Sequence, residues 1–486
     1  MILNRPLLQN LDRKMYMAFA AIVLFSVAAS VYTQNQTYLA FPFLLIGGLV
    51  AILDYSFIFY ILLFSLPFSM QTGLPGGMSM DMPTEPLMLM LTGCFLMQVI
   101  TGGIQIERRF ITHPLLLILL TMYVWAMYSA LFSVSHVKSI KYLLAKIWYI
   151  VPFVLFTGTL IRSVKSIRKV WWTALGGVVL IVAYGSIHHT LLGLGFDTAN
   201  DAYKPFFINH VIYAAMVALF VPVVFFEILL NKNNSLLRNL CIAILCLFLF
   251  AVITSYTRAS WLSLPVAAIF FVVLRYRLTK KILVVAYVAV AAIAFYFIQN
   301  NNYLKYSPDY EKTIFNEGNL EKHLEATYKF EDVSGMERVY RWIAAVRMAG
   351  DHPIVGTGPS TFYPEYKRYT VRSFETYVSD NPEKSTTHNY FLLQLAEQGL
   401  VGLLLFVTLI SYLLILVERL YHRTKVQHYK YLVLGAGLSL VVTIFHLLLN
   451  ELIEVDKIGA FFFICIAILI KLDIWTKEEV RAQKEA

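Results

Sequence analysis

Residues 207–230 read FINHVIYAAMVALFVPVVFFEILL, with Glu227 as the one acidic side chain, close to the end of the stretch. A bilayer core about 30 Å thick is crossed by roughly 20 predominantly apolar residues in a helix. This stretch meets that requirement, and similar runs recur on both sides of it. They lie near 16–32, 37–53, 55–70, 86–101, 114–132, 140–161, 170–187, 237–256, 260–275, 281–298, 400–417, 430–449 and 457–474. The runs at 37–53 and 55–70 are separated only by Asp54-Tyr55, so they form either one re-entrant hairpin or two short spans. The expectation is an all-α polytopic membrane protein with about 12–14 transmembrane helices. The runs are continuous rather than alternating apolar and polar, which excludes a β-barrel.

Composition agrees. The chain has 486 residues, of which 58% are hydrophobic and 14% charged, whereas a soluble chain is about 45–50% apolar and about 25% charged. Gly and Pro contents are ordinary and no short repeat recurs, so collagen, coiled coil and disorder are excluded. Cys94, Cys241, Cys246 and Cys465 all fall in apolar stretches without metal-ligand spacing. They read as small core hydrophobes and offer no disulfide framework.

The formal net charge of +10 is explained by its placement. If the N-terminus is cytoplasmic, more than half of the 40 Lys and Arg fall on cytoplasmic connections. Examples are Arg108 and Arg109; Arg162, Lys165, Arg168 and Lys169; and Arg419, Arg423, Lys425 and Lys430. The short outward connections carry few, chiefly Lys138, Lys204 and Arg258. The positive-inside rule therefore implies both termini in the cytoplasm and an even number of spans. The surplus encodes orientation, and nucleic acid drops out as a partner. The run after Arg13-Lys14 reads as a retained helix rather than a cleaved signal.

Residues 299–390 make an outward segment too long for a turn, which divides the chain into a bundle at 1–298, a large outward loop subdomain at 299–390 and C-terminal helices with a tail at 391–486. The mixed charge, tyrosines and apolar stretches of the loop favour a folded, functional segment. Within it 337–350 has helical spacing, ended by Asp351-His352-Pro353.

Four constellations on the outward side could carry chemistry. In Ser255-Tyr256-Thr257-Arg258-Ala259-Ser260-Trp261, an arginine at membrane level is either an anion partner or an interfacial side chain snorkelling to water. Arg338, Arg341 and Trp342 share one helical face, which either presents guanidinium groups to a diphosphate or is a solvated basic face. In Asp351-His352-Pro353-Ile354-Val355-Gly356-Thr357-Gly358, Gly356 and Gly358 either let amides converge on an anion or form a turn after a helix. In Thr386-Thr387-His388-Asn389, a threonine can cap the following helix, and His388 is either a general base or a structural hydrogen-bonding residue. No His-Glu-x-x-His, paired carboxylates, Walker loop or Cys-His set occurs, so metal hydrolysis and nucleotide chemistry lack support. Ionisable residues inside the spans are sparse, mainly Lys146, His210, Glu227 and His446, which argues against an ion-coupled transporter.

Taken in order, these features resemble the O-antigen ligase and polymerase superfamily of bacterial envelope glycan enzymes. The matching residues are Ser255-x-Thr257-Arg258-x-x-Trp261; Arg338-x-x-x-Trp342; Asp351-His352-Pro353-Ile354-x-Gly356-x-Gly358 with Phe362; and His388-Asn389-x-x-Leu392 with Glu397-x-Gly399-x-x-Gly402. Thr257 stands where the family usually has Ser, which keeps the hydroxyl. The resemblance implies an inner-membrane glycosyltransferase that needs no metal, cofactor or nucleotide sugar. It would move an undecaprenyl-diphosphate-linked glycan to a lipid A-core acceptor hydroxyl on the periplasmic face. It further implies that His388 is the general base and that Arg258 and Arg338 hold the diphosphate, with Arg341 in reserve. Thr257, Trp342, Gly356, Gly358, Asn389 and Glu397 would support the site. The alternatives within the superfamily are a polymerase of O-antigen or exopolysaccharide and a protein O-oligosaccharyltransferase; outside the enzyme class, a lipid-linked glycan flippase or transporter. Polymerases of the family tend to carry a second Arg-bearing outer loop, whereas 188–206 holds only Lys204.

Overall fold

A computed structural model describes residues 17, 20–29, 32, 54–74, 78–306, 333–370 and 386–485. The run at 37–53 and the loop stretches 307–332 and 371–385 lie outside the described residues. In every other apolar run the described residues are mainly helical, and among the described residues 10 helices are long and apolar enough to cross a membrane. In chain order the helices are α1 (Ala20–Ala29), α2 (Tyr55–Ser65), α3 (Thr84–Ile100), α4 (Pro114–Leu131), α5 (His136–Ile150), α6 (Val164–Leu191), α7 (His210–Leu230), α8 (Ser235–Thr254), α9 (Arg258–Arg275) and α10 (Thr279–Ile298). Then come α11 (Val333–Asp351), α12 (Phe362–Tyr369), α13 (Tyr390–Arg423), α14 (Gln427–Leu447) and α15 (Asp456–Glu485). Between α2 and α3 lies one hairpin of β1 (Met70–Leu74) and β2 (Met78–Met82).

The helices start where short polar side chains can take the orphan amides of the first turn. Asp54 accepts from Ser56 N at 3.1 Å, Asn209 from Ile212 N at 3.0 Å and Asn234 from Leu237 N at 3.1 Å. Ser163 and Ser166 form a reciprocal capping box at the start of α6. After α5, Pro152 supplies no N–H, and the helix widens into a π turn over Val151–Phe156 before resuming.

Two helices of similar composition take opposite places. Helix α15 is buried along its apolar length, with Phe461, Phe462, Ile466 and Ile470 fully enclosed by neighbouring helices. Helix α10 is apolar all round as well, yet Val284, Val288 and Phe295 stay more than half exposed. A helix without a polar face must be covered by protein or by lipid, and α10 is left to lipid.

The connections 101–113, 161–163, 231–234, 276–278 and 424–426, which carry many of the clustered Lys and Arg, gather at one end of the bundle with the end of α15. There the buried Asp473 is ringed by Arg423 at 2.5 Å, Lys477 at 2.5 Å and His113 at 3.2 Å. Glu227, foreseen as intramembrane, is held by Arg168 at 2.6 Å, and its carboxylate also accepts from Trp172 and Asn231. At the other end, α11 lies against α13, with α12 packed on both. Helix α11 runs one turn further toward its start than the expected 337–350 and stops as foreseen at Asp351.

Candidate functional site

The turn into α13 places His388. Asn389 is the helix cap: its Oδ1 accepts from Phe391 N at 3.0 Å and Leu392 N at 3.1 Å, and its Nδ2 donates to Leu448 O at 3.1 Å. The expected threonine cap is corrected here. The Thr387 hydroxyl is used within the turn, donating to Asn389 O at 2.6 Å and accepting from Asn389 N at 3.2 Å. His388 is thereby held at φ +51°, in the left-handed region that a non-glycine residue occupies only under constraint. Trp342 of α11 locks the same turn by donating from Nε1 to Thr387 O at 3.0 Å.

The His388 ring faces Arg341 and Arg338 of α11 and the side chain of Asn450. Burial, and after it the Arg341 and Arg338 charges, pulls the pKa of His388 down to about 4. The ring is therefore neutral near pH 7 and able to accept a proton. Its Nδ1 is buried without a hydrogen-bond partner among the described residues. The two arginines differ in setting: Arg341 is 1% exposed, while Arg338 is half-buried.

Beyond α14, the chain supplies residues that the motifs did not flag. Asn450 takes its place through its amide, which donates to His446 O at 2.8 Å. Glu451 lies beside Thr386 and Arg341; burial pushes its carboxyl pKa up, while Thr386 and the Arg341 charge pull it down. His446 meets Ser260 of α9 at 3.2 Å. The available signal was an Asn-Glu pair in a short outward turn between two apolar runs, a position that by itself suggests only solvation.

Arg258 opens α9 directly after a turn in which Tyr256 has φ +53°. Thr257 is buried there, its hydroxyl donating to Ser255 O at 3.3 Å and reaching His210 O at 3.5 Å. Ser260, two residues after Arg258, is the link from this turn through His446 to Asn450 and the His388 ring.

The glycine turn has another duty. The amides of Gly356, Thr357 and Gly358 donate to His352 O at 3.1 Å, Ala396 O at 3.1 Å and Glu397 O at 2.8 Å. With those donors taken, the turn does not present them to an anion. It docks instead on a kink of α13, where Gly399 sits at φ +69°. A Cβ on Gly356 would lie 2.3 Å from Glu397 C, and one on Gly399 would lie 2.1 Å from Ile354 O, so only glycine permits this approach. Glu397 is buried and accepts from Ser360 N at 2.8 Å and Phe362 N at 2.9 Å, fixing the start of α12. From α4, Trp125 donates to Gln398 O at 2.9 Å and Ser129 to Val355 O at 2.7 Å.

Beneath the site, Lys146 is paired with Glu454 at 2.7 Å, and Tyr390 donates to the same carboxylate at 2.8 Å. A cavity of about 50 Å³ adjoins them, lined by Tyr142, Lys146, Tyr390, Gln394 and apolar side chains of α4 and α15.

Residues 241–407 match the family model described as O-Antigen ligase. No curated protein matches the chain significantly. The matched stretch contains Arg258, Arg338, Arg341, His388 and Glu397. Through that region the chain is similar to the O-antigen ligase family, whose members handle glycans as ligases and polymerases, and the region is set in a polytopic helical membrane bundle.

Proposed function

We propose that this protein is an inner-membrane glycosyltransferase that joins an undecaprenyl-diphosphate-linked glycan to a hydroxyl of a lipid A-core acceptor on the periplasmic face. The observation that carries the reading is His388, neutral and fixed in a strained turn between two arginines and Asn450. His388 takes the proton of the acceptor hydroxyl as that oxygen attacks the anomeric carbon. The bond from this carbon to the diphosphate oxygen breaks, and the lipid diphosphate leaves with the electron pair. Negative charge then grows on the leaving group, where Arg338 and Arg258 stabilise it by charge-assisted hydrogen bonds fixed in advance. Arg341, wholly buried, supports the site as a positioning residue between His388 and Glu451.

The arriving diphosphate also makes the base stronger. The guanidinium charges help to depress the His388 pKa, and an anion that offsets them raises it. Donor binding thus couples to activation of the acceptor.

Ligation is favoured over polymerisation because 188–206 holds no Arg and its one Lys, Lys204, is paired with Asp201 at 2.7 Å. The test is reconstitution of purified protein with an undecaprenyl-diphosphate glycan, chelator and three acceptors offered separately. Mass gained by lipid A-core supports the proposal. Gain only on a second lipid-linked glycan indicates a polymerase, and gain only on a hydroxyl-bearing polypeptide a protein O-oligosaccharyltransferase. Movement of the donor across the bilayer without transfer indicates a flippase.

A further inference from the structure

The β1–β2 hairpin stands at the same end of the bundle, outside the residues used above. Its register pairs Met70 with Met82, Thr72 with Met80 and Leu74 with Met78. Successive strand residues point to opposite faces, so Met70, Met80 and Met82 share one face, and Met78 continues the alternation along the backbone. The opposite face is polar, as the bond from Gln71 Nε2 to Ser79 Oγ at 3.0 Å attests. Met70 is 39% exposed and Met80 and Met82 are half-buried, and none of the three belongs to the hydrophobic core. A methionine face that does not fill the core needs another explanation.

We propose that this face is a binding site for a soft monovalent metal ion, Cu(I), held by the thioethers of Met70, Met80 and Met82. Thioethers select Cu(I) over harder ions, and their long unbranched side chains can converge on one point. Residues directly opposite in an antiparallel pair have Cβ atoms about 4.5–5.5 Å apart, with diagonal neighbours at about 7–8 Å, within reach of long side chains. The frame is fixed at its base. Lys457 donates to Ser69 O at 2.6 Å, Ser69 and Thr84 hydroxyls meet at 2.8 Å, and Thr84 donates to Asp456 at 2.6 Å. Selection comes from the thioethers and not from local charge, since Asp81 pairs with Gln71 on the opposite, polar face and the Lys457 ammonium stands at the base of the hairpin. A lipid-surface role is disfavoured by composition, since 70–82 holds neither the aromatic nor the basic residues that anchor at an interface.

The experiment uses the full chain in detergent with Cys94→Ser and Cys246→Ser, which removes the two cysteines that are not fully buried. Under anaerobic reducing conditions this protein is titrated against a chromogenic Cu(I) chelator complex, and the metal environment is read by X-ray absorption. Withdrawal of one Cu(I) per chain into an all-sulfur shell is expected. The triple variant Met70→Leu, Met80→Leu, Met82→Leu, which conserves volume, should lose that uptake with an unchanged melting profile. The proposal is overturned if the protein carrying Cys94→Ser and Cys246→Ser leaves the chelator complex intact, or if the triple variant binds as the parent does. Nitrogen or oxygen ligands in the absorption spectrum would overturn it equally.

Discussion

At the scale of single residues, His388 combines three properties that a general base needs: a neutral ring, a fixed orientation and neighbouring cations that an anionic donor can offset. His388→Ala should lower transfer by about 10²–10⁴-fold, the usual range for a lost general base, while the protein inserts and melts normally. The pH profile is more diagnostic. A base works only when deprotonated, so kcat/KM, which reports the free enzyme, should fall as pH drops through about 4 if acceptor attack limits it. In the donor-bound complex the arginine charges are offset, so the acid limb of kcat should lie at higher pH than that of kcat/KM. Coincident limbs would show that the arginines do not meet the donor. Arg338→Ala should cost roughly 10²–10³-fold in kcat, as removal of one preorganised donor does elsewhere. Arg338→Lys keeps the charge but not the fork, and should restore part of the rate.

At the scale of elements, the glycine turn and the α13 kink form one joint. Gly356, Gly358 and Gly399 let two backbones meet, and Glu397 closes the joint through the amides of Ser360 and Phe362. Glu397→Ala would strand two amides, each worth about 1–3 kcal/mol when buried and unpaired. We expect a lower melting temperature and loss of transfer together, measured on the same preparation. Glu397→Gln keeps an acceptor and should recover stability and activity in parallel. Activity lost from a fully stable Glu397→Gln protein would instead mean that the carboxylate acts in the chemistry. The motif containing these residues was legible in the sequence, but its purpose was not. A Gly-x-Gly can offer amides to an anion or to another strand of backbone, and only the position of α13 decides between them.

At the scale of the whole molecule, the bundle is tied by buried charge at the end opposite the site. Asp473 satisfies Arg423, Lys477 and His113, and holds α15 against α13 and the entry to α4. Asp473→Asn should therefore destabilise the bundle. The cost should fall below the roughly 3–5 kcal/mol of a fully buried broken pair, because Arg423 and Lys477 are partly exposed. Thermal unfolding in detergent should register the loss, with the acceptor preference of the remaining folded enzyme unchanged.

The sequence by itself determined that the chain is a helical membrane bundle, because the period and length of apolar runs follow from the thickness of a bilayer and the need to satisfy every backbone amide within it. It also marked His388, Arg338 and Arg258 by residue type and order. Only the tertiary structure decided which all-apolar helix is central and which faces lipid, since α10 and α15 look alike until their neighbours are known. It likewise brought Asn450 and Glu451 to His388 from more than sixty residues away. Proximity across a bundle depends on how helices pack, and no local pattern encodes it.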